Sequence, residues 1–200
     1  MKVNTNVQMG GIATVTLMRT EKRTQKRSNA GSPCNIGHLR RNTALIWSDK
    51  TMKKILFICH GNICRSPMAE MIFKHMIRER KMEKQFHVAS AATSTEEIGN
   101  PVYPPARSEL ARHGIFVERR GARQITRKEY QEWDLIIAMD HYNIRNLYRM
   151  LEGDPEGKVH LLMDYTTRPG DVSDPWYSDR FDIAFRDIWD GCEGLLKSLL

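Results

Sequence analysis

The stretch Lys53-Lys54-Ile55-Leu56-Phe57-Ile58-Cys59-His60-Gly61-Asn62-Ile63-Cys64-Arg65-Ser66-Pro67 contains an apolar run, a short polar turn and the start of a second apolar segment. The run has the composition of a buried strand, and the apolar residues of 68–77 recur at helical spacing. We predict a strand over 54–58 and a helix that begins with Ser66 as N-cap and ends near Arg80. A strand that turns directly into a helix N-terminus is an anion-binding arrangement, because the first N–H groups of the helix are free.

The turn itself predicts a cradle for a tetrahedral dianion. Gly and Asn tolerate the left-handed backbone that points successive N–H groups inward as a nest. The predicted phosphate-binding residues are His60, Gly61, Asn62, Ile63, Cys64 and Ser66. Cys59 would place its sulfur beneath the anion, and Arg65 would hold two of the anion's oxygens with its planar fork. The nest, the helix dipole and Arg65 would together favour the thiolate form of Cys59.

Short apolar segments alternate with helical ones along the rest of the chain. Further strands are predicted at 86–91, 135–139 and 159–162, and further helices at 106–113, 142–151 and 179–200. Asp140 would cap the helix at 142–151, and Gly114 would end the helix at 106–113. This alternation predicts an α/β fold with a parallel, doubly wound sheet of four strands and helices on both faces. Ligands bind at the carboxyl ends of such strands, where the Cys59 turn lies.

The net charge of +7 is confined to one part of the chain. Residues 1–51 hold nine Lys or Arg and two Asp or Glu, whereas residues 52–200 hold 22 of each sign. The neutral body argues against a nucleic-acid partner. Four cysteines with no Cys-x-x-Cys spacing argue against a zinc site or disulfide framework and favour a reducing, cytoplasmic compartment. No apolar stretch approaches the roughly 18 residues of a membrane span.

The composition also divides the chain into two parts. Residues 1–51 have few large apolar side chains, so we expect a basic, disordered extension or a misassigned start, with Met52 as the natural beginning. An Arg-rich, acid-poor transit peptide is the alternative for this segment. Residues 52–200 would form the single catalytic domain, and we expect it to be monomeric.

The turn and a second motif, Asp174-Pro175-Trp176-Tyr177, together resemble those of the low-molecular-weight protein-tyrosine phosphatases. Further similar segments are 90–93, 98–101, 113–115, 122–125 and 139–140, so the resemblance covers 52–200 and none of 1–51. It implies a Rossmann-like three-layer fold and hydrolysis of phosphotyrosine monoesters through a cysteinyl-phosphate intermediate. The implied substrate is a phosphotyrosine protein or peptide, the product is inorganic phosphate, and no cofactor or metal is implied.

The resemblance also assigns roles to individual residues. Cys59 would be the nucleophile, Arg65 the group that stabilises the transferred phosphoryl, and Asp174 the general acid and then the base. Ser66 would donate its hydroxyl to the departing sulfur as well as cap the helix. Ser90 would hydrogen-bond Asn62, which holds the shape of the turn.

Three further roles follow from the resemblance. Trp176 and Tyr177 would wall a slot for the substrate's aromatic ring. Asp140 would orient Arg65, although helix capping explains it nearly as well. Cys64 would close a protective disulfide with Cys59 under peroxide.

Departures from the family pattern leave the substrate open. Glu96-Glu97 stand where many members have an aromatic rim residue, which favours basic peptides, and Arg120 stands where a histidine is often found. Protein-arginine phosphatases share the turn but tend to have Thr at the position of Ile63. Arsenate reductases share it too, but they need a further cysteine pair. A non-catalytic phosphate-binding module is the alternative outside the enzymes, and it would not need Asp174.

Overall fold

The structure of the protein is a computed structural model that describes residues 52–200. Its sheet contains β1 (Lys53–Cys59), β2 (Phe86–Ala92), β3 (Leu135–Ala138) and β4 (Val159–Leu161). Every pair is parallel, and the spatial order is β2-β1-β3-β4. The predicted four-stranded, doubly wound sheet is therefore confirmed.

Five α-helices connect and cover these strands: α1 (Arg65–Glu79), α2 (Pro104–Arg112), α3 (His141–Leu151), α4 (Pro175–Ser178) and α5 (Phe181–Ser198). Short 3₁₀ turns lie at Glu83–Gln85, Arg127–Glu132 and Leu162–Tyr165. The last helix begins later than predicted, because Asp179 adopts a left-handed conformation (φ 54°) that ends α4 before α5 can start. The prolines at the start of α2 and α4 suit a first turn, whose N–H groups need no helical partner.

The alternation of side chains along β1 explains why both faces of the sheet are covered. Ile55 and Phe57 point to the layer formed by α1 and α5, while Leu56 and Ile58 point to the layer containing α3. All four side chains have no exposed surface. A strand buried on both faces must be apolar at every position, as this run is.

The Cys59 end of β1 lies where the strand order reverses. The chain leaves β1 through α1 to reach β2 on one side, whereas β3 pairs with β1 on the other side. The connections diverge at this point and leave a crevice above the carboxyl end of β1. The fold thus places the Cys59 turn at its natural binding position.

The predictions made for residues 1–51 lie outside the described residues. Within 52–200, none of the helices combines the length and apolar character needed to cross a membrane.

Candidate active site

The turn after β1 wraps around the Cys59 sulfur. Cys59 is 3% exposed, and the backbone N–H of Asn62 donates to its Sγ over 3.2 Å. Asn62 has the predicted left-handed conformation, with φ 59°. Gly61 does not, so that part of the prediction is wrong. Space explains this glycine instead, because a Cβ on it would lie 3.0 Å from Cγ of Glu97.

The Ser66 hydroxyl contacts the Cys59 sulfur and does not cap helix α1. Helix α1 begins at Arg65 with Cys64 as its N-cap, so the predicted capping role of Ser66 is wrong. The N-cap lies two residues earlier than predicted, since the Met68 N–H already bonds the Cys64 carbonyl. The fully buried Ser66 hydroxyl lies 3.1 Å from Cys59 Sγ. A hydroxyl at this distance can stabilise negative charge on the sulfur.

Arg65 joins the turn to two carboxylates from distant parts of the chain. Its Nη1 donates to Asp140 Oδ2 over 2.6 Å, and its Nη2 donates to Asp174 Oδ2 over 2.7 Å. The side chain is 5% exposed. Burial by itself would lower the pKa of Arg65, but the adjacent Cys59, Asp174 and Asp140 outweigh it and raise that pKa above its usual value. Arg65 is therefore a fixed positive charge beside the sulfur.

Asp140 combines both of the roles considered for it. One carboxylate oxygen orients Arg65, and the other accepts from the Asn143 N–H at the start of α3 over 2.6 Å. The cap fixes the carboxylate at the end of β3, so the guanidinium is held from a rigid element.

Asp174 lies at the start of α4, where its Oδ1 accepts from the Trp176 N–H over 3.0 Å. Trp176 is 56% exposed and Tyr177 is 88% exposed, so neither belongs to the core. The Trp176 ring packs against Tyr103, with centroids 5.5 Å apart. Tyr103 is tied to the turn through its N–H, which donates to the Ile63 carbonyl over 2.9 Å. Tyr103 thus links Trp176 to the turn, and no periodicity or motif in the sequence marked it.

The loop after β2 forms part of the rim of the turn. Glu96 Oε2 lies 3.1 Å from His60 Nε2, and both side chains are substantially exposed. The Ser94 N–H donates to the His60 carbonyl over 3.0 Å, which fixes the loop against the turn. Glu96 therefore lies beside the turn, in contact with His60.

Behind the turn lies a buried polar cluster made of Asn62, Ser66, Ser90, Glu70 and Arg120. Asn62 Nδ2 donates to Ser66 Oγ over 2.8 Å and to Ser90 Oγ over 2.9 Å, in agreement with the predicted contact between Asn62 and Ser90. Ser90 Oγ donates to Glu70 Oε2 over 2.6 Å. Arg120 donates to Glu70, to Ser90 and to Asn62 Oδ1.

Sequence reasoning missed two members of this cluster, Glu70 and Arg120. The signal for Glu70 was its position one helical turn after Ser66, which puts both on one face of α1. Arg120 lies in an irregular segment, where spacing carries no information about contacts, and its signal was its place at a position where the family often has histidine.

The two remaining cysteines in the described region differ from Cys59. Burial, with the nearby negative groups Cys59 and Asp174, raises the pKa of the Cys64 thiol to about 12. Burial alone raises the pKa of Cys192, whose side chain is enclosed under α1. Both thiols are therefore protonated at neutral pH while Cys59 is reduced. Residues 52–200 contain no group of three His, Cys, Asp or Glu side chains placed to hold a metal ion.

A thiol in an anion-binding turn, with a buried arginine and a carboxylate beside it, defines the class of cysteine-dependent phosphatases. The family model described as low molecular weight phosphotyrosine protein phosphatase matches residues 54–200. A relative of that name from Gallus gallus is 37% identical over 74% of this chain and 94% of its own.

Solved structures agree with this match. YfkJ from Bacillus subtilis has a TM-score of 0.72 at 37% identity, covering 74% of this chain and 95% of its own. A Drosophila arginine phosphatase has a TM-score of 0.67 at 30% identity, covering 73% and 97%. The chain therefore belongs to the low molecular weight phosphotyrosine protein phosphatase family.

Proposed function

We propose that this phosphatase hydrolyses phosphotyrosine monoesters in two steps, with Cys59, Arg65 and Asp174 as its catalytic residues. The observation that carries the proposal is the position of the Arg65 guanidinium. It contacts the carboxylate of Asp174 and lies in the helix turn that follows the Cys59 nest. Nucleophile, charge-stabilising group and acid therefore surround one small space at the end of β1.

In the first step the Cys59 thiolate attacks phosphorus. An S–P bond forms, the P–O bond to the phenol breaks, and Asp174 gives its proton to the phenolate oxygen. The N–H groups of the turn and both arms of Arg65 stabilise the charge on the phosphoryl oxygens. Arg65 can release Asp174 for this purpose without losing its orientation, because Asp140 still holds its Nη1.

In the second step water attacks the phosphocysteine. Asp174, now ionised, takes a proton from the water, the new P–O bond forms, and the S–P bond breaks to give inorganic phosphate. The Ser66 hydroxyl, 3.1 Å from the sulfur, stabilises the thiolate as it departs. Because one step needs ionised Cys59 and protonated Asp174, a bell-shaped pH–rate profile is expected.

The surroundings of the site support an aromatic substrate. Trp176 and Tyr177 follow Asp174 closely in the chain and are exposed, and Trp176 packs against Tyr103, so these side chains would wall a slot for an aromatic ring. The Glu96 carboxylate on the rim favours peptides with basic residues near the phosphotyrosine. A Glu96→Lys variant should reverse this preference in kcat/KM for basic against acidic phosphotyrosine peptides, whereas Glu79→Lys, on α1, should leave it unchanged.

Arginine phosphatase activity is the second candidate, because a structural relative carries that name. Ile63 and the Trp176-Tyr177 pair favour phosphotyrosine instead. Arsenate reduction has less support, since Cys192 is the only cysteine after Cys64 and has no exposed surface. A purely phosphate-binding module would not need a carboxylate bonded to its arginine.

The deciding experiment measures hydrolysis of p-nitrophenyl phosphate in the presence of EDTA, with vanadate as inhibitor and Cys59→Ser as the inactive control. Loss of activity with EDTA, or full activity of Cys59→Ser, would contradict the proposal. A comparison of kcat/KM on phosphotyrosine and phosphoarginine peptides of the same sequence then separates the two substrate classes.

We propose further that residues 52–200 constitute the catalytic domain and that it acts as a cytoplasmic monomer on phosphoproteins, without nucleic-acid or membrane partners. Residues 1–51 would contribute nothing to catalysis. Light scattering tests the monomer, and cell fractionation tests the location. Mass spectrometry of the protein made from its own gene tests the start: a mature N-terminus near Met1 would refute a beginning at Met52.

A further inference from the structure

Arg120 contacts the active-site turn indirectly, by way of the Asn62 side chain. Asn62 is 1% exposed, and all of its amide's bonding capacity is used. Its Nδ2 donates to Ser66 and Ser90, while its Oδ1 accepts from Arg120 Nη2 and from the Arg123 N–H. The orientation of this amide therefore decides which way the surrounding hydrogen bonds run.

A guanidinium can only donate, so the Asn62 atom that faces Arg120 must be the oxygen. This orientation turns the NH₂ group toward Ser66, whose oxygen must then accept. The Ser66 proton is left for another acceptor. Two lie within reach, Cys59 Sγ at 3.1 Å and the Ala91 carbonyl at 3.4 Å. The Cys59 thiolate is the nearer acceptor and carries a charge, so the Ser66 hydroxyl donates its hydrogen bond to the thiolate.

The opposite amide orientation would reverse the result. With Nδ2 toward Arg120 and Oδ1 toward Ser66, the hydroxyl would donate to Asn62 and present only lone pairs to the sulfur. In that arrangement the Asn62 NH₂ group would face the Arg120 guanidinium, donor against donor. The Ser66 oxygen would direct a lone pair at the Cys59 thiolate. Arg120 and the Arg123 N–H, which can only donate, therefore both oppose this orientation, and Arg120 does so without touching the reacting atoms.

Arg120 is in turn held by Glu70. The Glu70 carboxylate is 7% exposed at its side chain and is bonded by Arg120, by Ser90 and by Lys74 Nζ, the last over 2.8 Å. A buried carboxylate with two cationic partners and a hydroxyl is fully compensated. Glu70 thus fixes the guanidinium whose second arm reaches Asn62.

We propose that Arg120 is a positioning residue of the phosphatase reaction: by fixing the Asn62 amide it directs the Ser66 O–H toward the Cys59 sulfur. The inference rests on the two-step mechanism proposed above. Loss of Arg120 should make the Cys59 thiolate less stable. It should also slow the breakdown of the phosphocysteine, in which the sulfur departs. Substrate binding depends mainly on the N–H groups of the turn and on Arg65, so it should change little.

The test compares Arg120→Met with Lys74→Met. Both variants remove one cation from Glu70, but Lys74 makes no contact with Asn62, so it is the matched control for lost charge and stability. For Arg120→Met we expect kcat on p-nitrophenyl phosphate to fall about tenfold with KM within about twofold. The rate of iodoacetate alkylation of Cys59, measured at one fixed and mildly acidic pH, should fall about three- to tenfold. Lys74→Met should retain both wild-type values.

Two further variants guard against a structural explanation. Arg120→Lys keeps a charge for Glu70, but one ammonium cannot reproduce the two-armed geometry, so it should fold well and still show reduced kcat. In an Asn62→Ala background, Arg120→Met should lower kcat less than about twofold, because the two residues act in series.

Equal effects of Arg120→Met and Lys74→Met on kcat and alkylation would overturn the inference, as would wild-type kcat in Arg120→Lys. The alkylation measurement needs no turnover. If the proposed function were wrong, the wild-type protein would not hydrolyse aryl phosphates. This outcome is distinct from failure of the Arg120 inference, which the alkylation measurement detects.

Discussion

Replacing Ser66 with alanine should slow the second half of the reaction far more than the first. The substitution removes one oxygen from a fully buried position, together with the only side-chain hydroxyl bonded to Cys59 Sγ within residues 52–200. A hydrogen bond to a charged group contributes about 1.5–3 kcal/mol, which corresponds to roughly 10- to 100-fold in rate. The loss falls mainly on phosphocysteine hydrolysis, because there the sulfur leaves as an anion.

The fold should tolerate this change. Asn62 Nδ2 loses its bond to Ser66 but keeps the one to Ser90 at 2.9 Å, so we expect a cost in unfolding free energy of about 1 kcal/mol. Stopped-flow hydrolysis of p-nitrophenyl phosphate should show a burst of p-nitrophenol near one equivalent of enzyme, followed by a steady state 10- to 100-fold slower than wild type.

The control for this prediction is Ser108→Ala, on the exposed side of α2, which should match wild type. If Ser66→Ala showed a wild-type steady state, the hydroxyl would have no part in sulfur departure. If it lost the burst phase itself, the hydroxyl would act on thiolate attack instead, and the assignment to the second step would be wrong.

Three further predictions concern the acid, the second cysteine and the stability of the fold. Asp174→Asn should lower kcat on phenyl phosphate by about 10²–10⁴ and on p-nitrophenyl phosphate much less, because a good leaving group needs no proton; equal losses on both substrates would contradict the acid role. Peroxide inactivation should be reversed by dithiothreitol in the wild type, and this recovery should be largely lost in Cys64→Ser, whereas Cys192→Ser should behave as wild type. Burial opposes ionisation of Asp154, but hydrogen bonds from the Tyr130 hydroxyl and from two backbone N–H groups outweigh it and lower the pKa of Asp154. The ionised carboxylate therefore stabilises the fold above about pH 4. This stabilisation is lost as the pH falls through the lowered pKa. Urea unfolding of Asp154→Asn should therefore show a deficit of about 1–3 kcal/mol at pH 7 that shrinks below pH 4, and a deficit independent of pH would refute the ionic explanation.

The elements of the fold were predictable because their signals are local. Short, mostly apolar segments bounded by turns marked all four strands, and the Asp140 cap was expected from its residue type just before a helical segment. The predicted bounds of some helices were wrong. Ser66 was taken for a cap because capping favours its type, whereas the tertiary structure uses its hydroxyl for the sulfur.

The site was predictable only in part. The Cys59–Ser66 turn is a continuous motif, so its nest could be expected from residue types, although what favours glycine at position 61 is the close approach of Glu97 and not the backbone angle. Asp174 and Asp140 are separated from Arg65 by 109 and 75 residues. Their meeting could be expected from the family resemblance, whereas residue spacing along the chain carried no sign of it.

The sequence by itself therefore determined the alternating strands and helices, the anion-binding turn at residues 59–66 and the sulfur and arginine within it. Only the tertiary structure decided what surrounds that turn. Two carboxylates hold Arg65, Tyr103 supports Trp176, and Arg120 with Glu70 fixes the Asn62 amide. The physical reason is that strand and helix signals arise from neighbours in the chain, while the direction of a buried hydrogen bond depends on partners that only folding brings together.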